Sequence, residues 1–349
     1  MKKTYLALPL AAMVLAGCGG NVPSSSSSLS VSSSESTPAY DIKWVSPVGA
    51  PALAFYDLGN NTNWVSSSTP ATDVVPSFKT ATYDAIVFDG VKGLNITKAN
   101  SLDWKLAGWL TGGNMHLVST KHQKDELPTK DSKFYSFNSG DLPDLVFKKL
   151  ASSSWKWGFD FTEAGNITYA DGVSAVATML SGNNQAYDYF LIAEPALTSA
   201  KAALKKNAET ASVVVNEIFD LRAEWKTYSG QEGIPQAGLF VRGATYSAHK
   251  EEFNSWLDNI GTNLTKATAG SEEAVAALNA YSTDALEQQK RFGFNSTLVN
   301  ALQKDGKNAF GLLPFEDVQD PKAFVNSFYE KINGGTTSFD SSFFLDKNA

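Results

Sequence analysis

The stretch "YDYFLIAEPA", Tyr187 to Ala196, restricts the fold more than any other part of the sequence. An uninterrupted apolar run of strand length is typical of a strand that is buried on both faces in the centre of a parallel sheet. The run stops at Glu194 and Pro195, and proline suits the first turn of a helix because its missing N–H needs no partner there. The pattern predicts a central strand that leads into a helix, with Glu194 at the carboxyl end of the strand.

Other stretches have the same order of strand, short loop and helix. They are "IKWVSPVGAPALAF" and "YSFNSGDLPDLVFKKLA", whereas "YDAIVFDG" is predicted as a strand that ends at Asp89 and Gly90. We expect Pro51 near the first turn of the first helix, and a second helix from Pro143 to Ala151. Beyond Arg242 the sequence predicts helices, most of which begin at Ser or Asp and end near Gly. Strands that alternate with helices, followed by a helical C-terminal part, indicate an α/β protein with two open sheets.

The N-terminus has the layout of a secretory signal. "MKKTYLALPLAAMVLAGCGG" begins with two lysines, continues with an apolar run of about a dozen residues and ends with small residues. This run is too short to cross a bilayer as a helix of the mature protein. The stretch "LAGC" resembles the bacterial lipobox, which implies that residues 1–17 are removed and that Cys18 is lipidated. The alternative is an ordinary signal peptide with an incidental cysteine.

A serine-rich stretch follows the predicted anchor. "SSSSSLSVSSSES", Ser24 to Ser36, has almost nothing to bury, so we expect residues 18–39 to be an anchor and a solvated linker. The folded body then begins at about Tyr40. Cys18 is the single cysteine of the chain, and no disulfide can form within one copy.

The charge and the motifs exclude several classes of function. The chain has 29 basic and 36 acidic residues and a formal net charge of −7, which argues against a nucleic-acid partner. An anionic ligand is not excluded, because backbone N–H groups at helix ends can bind one. The histidines have no metal-ligand spacing, and no phosphate loop or G-x-S-x-G motif is present. The sequence therefore predicts no metal, no cofactor and no catalytic residue.

Small residues follow the strands of the predicted sheets. "SPVGAP", "FDGVKG" and "NSGDLPD" each lie at the end of a strand, which is the edge where open α/β sheets bind ligands. Glycines at these positions let the backbone approach a ligand, and the Ser46, Asn138 and Ser139 side chains can form hydrogen bonds to it. The alternative is that the loops are tight turns, but three loops of one type favour a cleft.

The ordered set of these stretches resembles a known family. "IKWVSPVGAPALAF", "YDAIVFDGVKGLNI", "WKLAGWLTGGNMHLVS", "YSFNSGDLPDLVFKKLA", "YDYFLIAEPALTSAK" and "PQAGLFVR" resemble, in this order, the solute-binding lipoproteins of ABC importers of the nitrate/sulfonate/taurine type. The resemblance extends from Ile42 to about Gly334. It implies the type 2 periplasmic-binding-protein fold, in which two lobes, each an open and mostly parallel sheet flanked by helices, clamp a ligand.

The resemblance also implies lobes, ligand-facing residues and a function. Lobe one is residues 40–116 plus 243–349, and lobe two is residues 117–242. The ligand-facing residues that it implies are Ser46, Gly49, Ala50, Asp89, Gly90, Asn138, Ser139, Gly140 and Glu194. The expected protein is a monomeric, extracytoplasmic receptor, anchored to a bacterial membrane by lipid on Cys18. It is not an enzyme, and it delivers a small molecule to an ABC permease and its ATPase.

The sequence departs from the family pattern at two places. "STKHQKDELPTKDSK" lacks the usual Leu-Lys-Gly-Lys phrase, and Asp89 stands where many relatives carry a neutral residue. Because burial of like charges costs several kcal/mol, a cationic, zwitterionic or neutral heterocyclic ligand has equal weight with an oxyanion. Two other functions stay open: an exported enzyme that uses Asp89 and Glu194 as an acid–base pair, and a sensor without a transporter.

Overall fold

The computed structural model describes residues 40–153, 166–335 and 338–347. The predicted signal, Cys18 and the serine-rich linker lie outside these residues. The strands are β1 Trp44–Pro47, β2 Trp64–Ser67, β3 Ala85–Asp89, β4 Trp104–Thr111, β5 Met115–Ser119, β6 Phe134–Phe137, β7 Ile167–Ala170, β8 Tyr189–Ala193, β9 Asn216–Asp220 and β10 Ala237–Arg242.

Helices follow most of these strands, and they make up most of the C-terminal part. A 3₁₀ helix spans Ala50–Leu58. The α-helices are α1 Pro70–Asp73, α2 Val75–Thr80, α3 Gly90–Ala99, α4 Leu142–Ser153, α5 Val173–Ser181, α6 Ala196–Lys206, α7 Leu221–Ser229, α8 Gly243–Ala248, α9 Lys250–Ala269, α10 Glu272–Tyr281, α11 Ala285–Phe292, α12 Ser296–Gln303 and α13 Pro321–Asn333. Over the described residues, no helix combines the length and the hydropathy that a membrane span requires.

The strands form two five-stranded sheets with matching topology. The first has the order β2-β1-β3-β10-β4 and the second the order β7-β6-β8-β5-β9. In the first sheet β1 is parallel to β2 and β3, whereas β10 is antiparallel to β3 and β4. In the second, β6 is parallel to β7 and β8, whereas β5 is antiparallel to β8 and β9. Each sheet is therefore mixed but mostly parallel, as the sequence predicts: four strands run in one direction, and β10 in the first sheet and β5 in the second run in the opposite one.

The predicted α/β fold class is confirmed, and helices follow β1, β6 and β8 as predicted, whereas β2 and the helices α1, α2, α3 and α7 were not predicted. All five residues of β8 are buried, and β8 lies in the centre of its sheet. Pro195 is the N-cap of α6, one position before the predicted first turn. The predicted helix from Pro143 to Ala151 lies within α4. An apolar run reports burial on both faces but not strand direction, so the sequence does not show which strand of each sheet is antiparallel.

The chain passes from one sheet to the other twice, between β4 and β5 and again between β9 and β10. Strand pairing places Met115 and His116 in the second sheet and Ala237–Arg242 in the first. The resemblance assigned these residues to the opposite lobes, because no local sequence pattern shows which sheet a strand joins. The lobes themselves stay a prediction.

Arg291 holds the edge of the first sheet together. Its guanidinium donates to the backbone oxygens of Gly59, Asn61 and Trp64 at 3.1, 2.9 and 3.0 Å, and it lies 4.2 Å from the centre of the Trp64 ring. These three directions suit a planar fork of N–H donors and not a single ammonium group. Arg291 therefore fixes the turn that precedes β2.

We expect Arg291→Lys to lower the free energy of unfolding by about 1–2 kcal/mol, because lysine keeps the charge but cannot reach all three carbonyls. Urea unfolding measures the change. The adjacent Lys290→Arg is the control, since Lys290 pairs with Glu287 in solvent and the exchange should have almost no effect. Equal midpoints for both variants would contradict this assignment.

Candidate functional site

The two segments that connect the sheets lie against each other. Ile234 N–H donates to Gly112 O at 2.8 Å, and Gly112 N–H donates to Gly311 O at 2.7 Å. Gly311 has φ +64°, and a Cβ added to it would lie 2.0 Å from Gly113 O. Because their backbones are in direct contact, the two connecting segments and Gly311 pack tightly against one another where the chain passes between the sheets. We call Gly112–Asn114, Gly233–Gln236 and Gly311 the crossing.

Asp89 lies between the starts of two helices, at the carboxyl end of β3. Its Oδ1 accepts the N–H of Lys92 at 2.9 Å, which caps α3. Its Oδ2 accepts the N–H of Leu142 at 3.3 Å, the first residue of α4. Close by, Lys92 Nζ lies 2.8 Å from Asp141 Oδ1. Helix α3 follows β3 of the first sheet, and α4 follows β6 of the second. The Asp89–Leu142 hydrogen bond and the Lys92–Asp141 ion pair therefore join the two halves of the molecule.

A cavity of about 270 Å³ lies beside these contacts, between α3, the start of α4 and α13. Its lining residues are Asp89, Val91, Lys92, Asn95, Ser139, Gly140, Asp141, Leu142, Leu145, Phe328, Tyr329, Ile332 and Asn333. Acidic, basic and amide groups therefore face an apolar wall. This mixture of groups suits a small organic molecule.

Two titratable groups of the cavity have shifted pKa values. Burial is the largest influence on Asp89 and raises its pKa to about 6; the Asp141 charge acts in the same direction, and the N–H groups of Lys92 and Leu142 oppose it. Burial also raises the pKa of Tyr329 to about 12. The Tyr329 hydroxyl accepts a hydrogen bond from Asn95 Nδ2 at 2.6 Å, and it keeps its own proton at neutral pH.

The loop after β6 brings predicted ligand residues to this cavity. Asn138 and Gly140 have φ values of 50° and 77°, and Ser139 and Gly140 line the cavity. The loop is held by buried Asp144, whose Oδ2 accepts Gly140 N–H at 2.9 Å and pairs with Lys148 Nζ at 2.9 Å. Asp144 was not predicted, although an acidic residue in the first turn of a helix is a known signal.

Asp144 also accepts the Tyr169 hydroxyl at 2.7 Å, so we expect Asp144→Asn to lower the free energy of unfolding by about 2 kcal/mol. The amide keeps the shape of the side chain but cannot accept from all three donors. Urea unfolding tests this, with the same exchange at exposed Asp171 as the control. If both variants unfold alike, Asp144 does not stabilise the loop.

The loop after β1 is engaged within its own half of the molecule. Ser46 Oγ accepts from Trp64 Nε1 at 2.9 Å, and Gly49 N–H donates to Phe292 O at 2.7 Å. Ala50 is buried. Ser46, Gly49 and Ala50 do not line the cavity, so the structure does not bring them together with Asp89 there.

Gly90 and Glu194 contact the crossing and its neighbours. The Trp109 ring occupies the space where a Cβ of Gly90 would lie, and Gly90 N–H donates to Gln236 O at 3.0 Å. The Glu194 carboxylate caps α6 by accepting the N–H and the hydroxyl of Thr198 at 3.0 and 2.8 Å. A ligand contact of either residue stays a prediction.

Asn114 and Gln236 connect these residues, and neither was predicted. Asn114 O accepts Glu194 N–H at 2.9 Å, and Asn114 Oδ1 accepts from Gln236 Nε2, also at 2.9 Å. Gln236 Oε1 is buried and has no hydrogen-bond partner among the residues that the structure describes. The two amides therefore link Gly90 on one side with Glu194 on the other.

The comparisons with known proteins identify the fold. An ABC transporter protein from Parabacteroides distasonis is 17% identical with a TM-score of 0.61, and the match covers 88% of this chain and 99% of that one. The sulfonate-binding protein SsuA from Methylobacillus flagellatus gives 15% identity and 0.54, with coverage of 88% and 92%. A Candida albicans protein, described as having the generic periplasmic binding protein fold, is 8% identical with a TM-score of 0.53. The match covers 87% of this chain and 93% of that one.

These matches show that the chain has the periplasmic-binding-protein fold. No protein-family sequence profile matches the chain, and no curated protein matches it by sequence. Within the described part of the chain, no group of three or more His, Cys, Asp or Glu residues could hold a metal ion.

Proposed function

We propose that the chain is a non-enzymatic, extracytoplasmic receptor that captures a small solute and delivers it to the permease and ATPase of an ABC importer. The observation that carries the proposal is a fold shared over nearly the whole body with solute-binding proteins, together with a cavity where helices of both sheets meet. Lipid on Cys18 would tether a monomer to the membrane, and the serine-rich linker would hold the body away from it.

The ligand in this proposal lies in the cavity beside Asp89, Ser139 and Gly140. These residues come from the ends of strands in different sheets, so a bound solute would contact both halves at once. Closure around a ligand is how two-lobed proteins of this kind signal occupancy. The Lys92–Asp141 pair crosses the same boundary and would stabilise the closed arrangement.

The contacts of the two candidate carboxylates favour a receptor over an enzyme. The Asp89 oxygens accept N–H groups at the starts of α3 and α4, and the Glu194 oxygens accept from Thr198 at the start of α6. Each carboxylate thus has a separate structural role as a helix cap. An acid–base pair instead requires both groups to reach one substrate.

A thermal-shift screen of the purified full-length chain in detergent tests the proposal. The solutes are sulfonates, amino acids, pyrimidines, polyamines and vitamins, and a bound solute raises the unfolding midpoint by mass action. The Ser139→Trp variant should lose the shift because the indole fills the cavity. Ser174→Trp, an exposed serine in α5, should keep it. A chain that responds to no solute, or that turns one over, is not the receptor proposed.

A further inference from the structure

The Asp89 carboxylate occupies a position that would otherwise suit an anionic ligand. The N–H of Lys92 in the first turn of α3 and the N–H of Leu142 at the start of α4 converge on it from opposite sides of the boundary between the two sheets. Helix N-termini of this length carry partial positive charge and bind anions through such N–H groups. Here the anion is part of the chain itself.

The remaining charges of the cavity do not compensate for this carboxylate. Lys92 is the one basic side chain among the residues that line it in the described chain, and its ammonium is paired with Asp141. Asp89 and Asp141 together outnumber it, and the other lining residues are neutral. An added anion would therefore meet an excess of negative charge in a partly desolvated space, where like charges repel strongly.

We infer that Asp89 determines the charge selectivity of the cavity: its carboxylate takes the anion position between α3 and α4, so the cavity excludes oxyanions and accepts solutes without net negative charge. This inference rests on the proposed function, and it names the class of solute for that site. It separates this chain from its sulfonate-binding structural neighbour without requiring a different fold.

Replacement of Asp89 by a neutral residue that can still cap α3 tests the inference. Asn and Ser are both good N-caps, so Asp89→Asn and Asp89→Ser should retain the helix while removing the charge. The probes are methanesulfonate and sulfate. Calorimetry at pH 7.5 measures the binding of each anion to the full-length chain. The matched control is Asp284→Asn, which makes the same exchange at the N-cap of α11, outside the cavity lining.

We expect no saturable binding of either anion to the unmodified chain or to Asp284→Asn, and an affinity gain of at least about tenfold in the Asp89 variants. Equal anion binding by the unmodified chain, an equal gain in Asp284→Asn, or no gain in either folded Asp89 variant would overturn the inference. These outcomes are independent of the solute screen. If no solute of that screen binds the unmodified chain, the result contradicts the proposed receptor function and not the role of Asp89.

Discussion

Gly311→Ala is expected to lower the free energy of unfolding by about 3–4 kcal/mol. A methyl group there would lie 2.0 Å from Gly113 O, and the backbone at Gly311 has φ +64°, which alanine adopts only with strain. The obstructing atom belongs to the backbone of the crossing, so relief requires the backbones of Gly311 and Gly113 to move apart. The variant should also lose the Gly112–Gly311 hydrogen bond.

The matched control is Gly334→Ala. Gly334 has φ +68°, nearly the same as Gly311, but in the described part of the chain no atom beyond its chain neighbours lies within 4 Å of an added Cβ. This control measures the cost of the left-handed backbone alone, about 1 kcal/mol. Urea unfolding of both variants then isolates the steric part. If Gly311→Ala unfolds with the midpoint of Gly334→Ala, the close packing at the crossing is not a strong constraint.

The sequence predicts local features of the fold because those features depend on local burial. The run Tyr189–Ala193 is buried along its whole length, and an apolar run states this directly. The direction of β5 and β10 within the sheets depends on which distant strands they join, as in the pairing of Leu239 with Val87 and Gly108. No local pattern encodes that choice, so the sequence predicts mostly parallel sheets without identifying β5 and β10 as their antiparallel strands.

The residues of the candidate site also fall into two groups, those that the sequence predicts and those that it does not. Asp89, Ser139 and Gly140 could be found because the ends of strands in open α/β sheets form the ligand edge. Tyr329 could not, since its contact with Asn95 joins residues 234 positions apart. Gln236 gives no signal either, because its importance comes from a crossing that exists only when both sheets are assembled.

The second large effect is a change of the free energy of unfolding with pH. Among the groups that line the cavity, Asp89 should contribute most to it. Burial raises its pKa from 3.8 to about 6, so the folded chain binds this proton more tightly than the unfolded chain. The stabilisation is fully present below pH 3.8 and is lost as the pH rises through 6. A shift of this size corresponds to about 3 kcal/mol. The charged groups that face Asp89 are Lys92 and Asp141, and neutral Tyr329 lies on the opposite helix.

Asp89→Asn removes this titration, so the difference in unfolding free energy between the variant and the unmodified chain should change by about 2–3 kcal/mol between pH 4 and pH 7.5, in favour of the variant at the higher pH. Taking the difference cancels other groups, including His116, whose pKa is raised by its contact with Glu217 despite burial. Urea unfolding at pH intervals across this range measures the change. A difference that is constant with pH would mean that the Asp89 carboxylate ionises as freely in the folded chain as in the unfolded one, and the helix N-termini would then fully offset its burial.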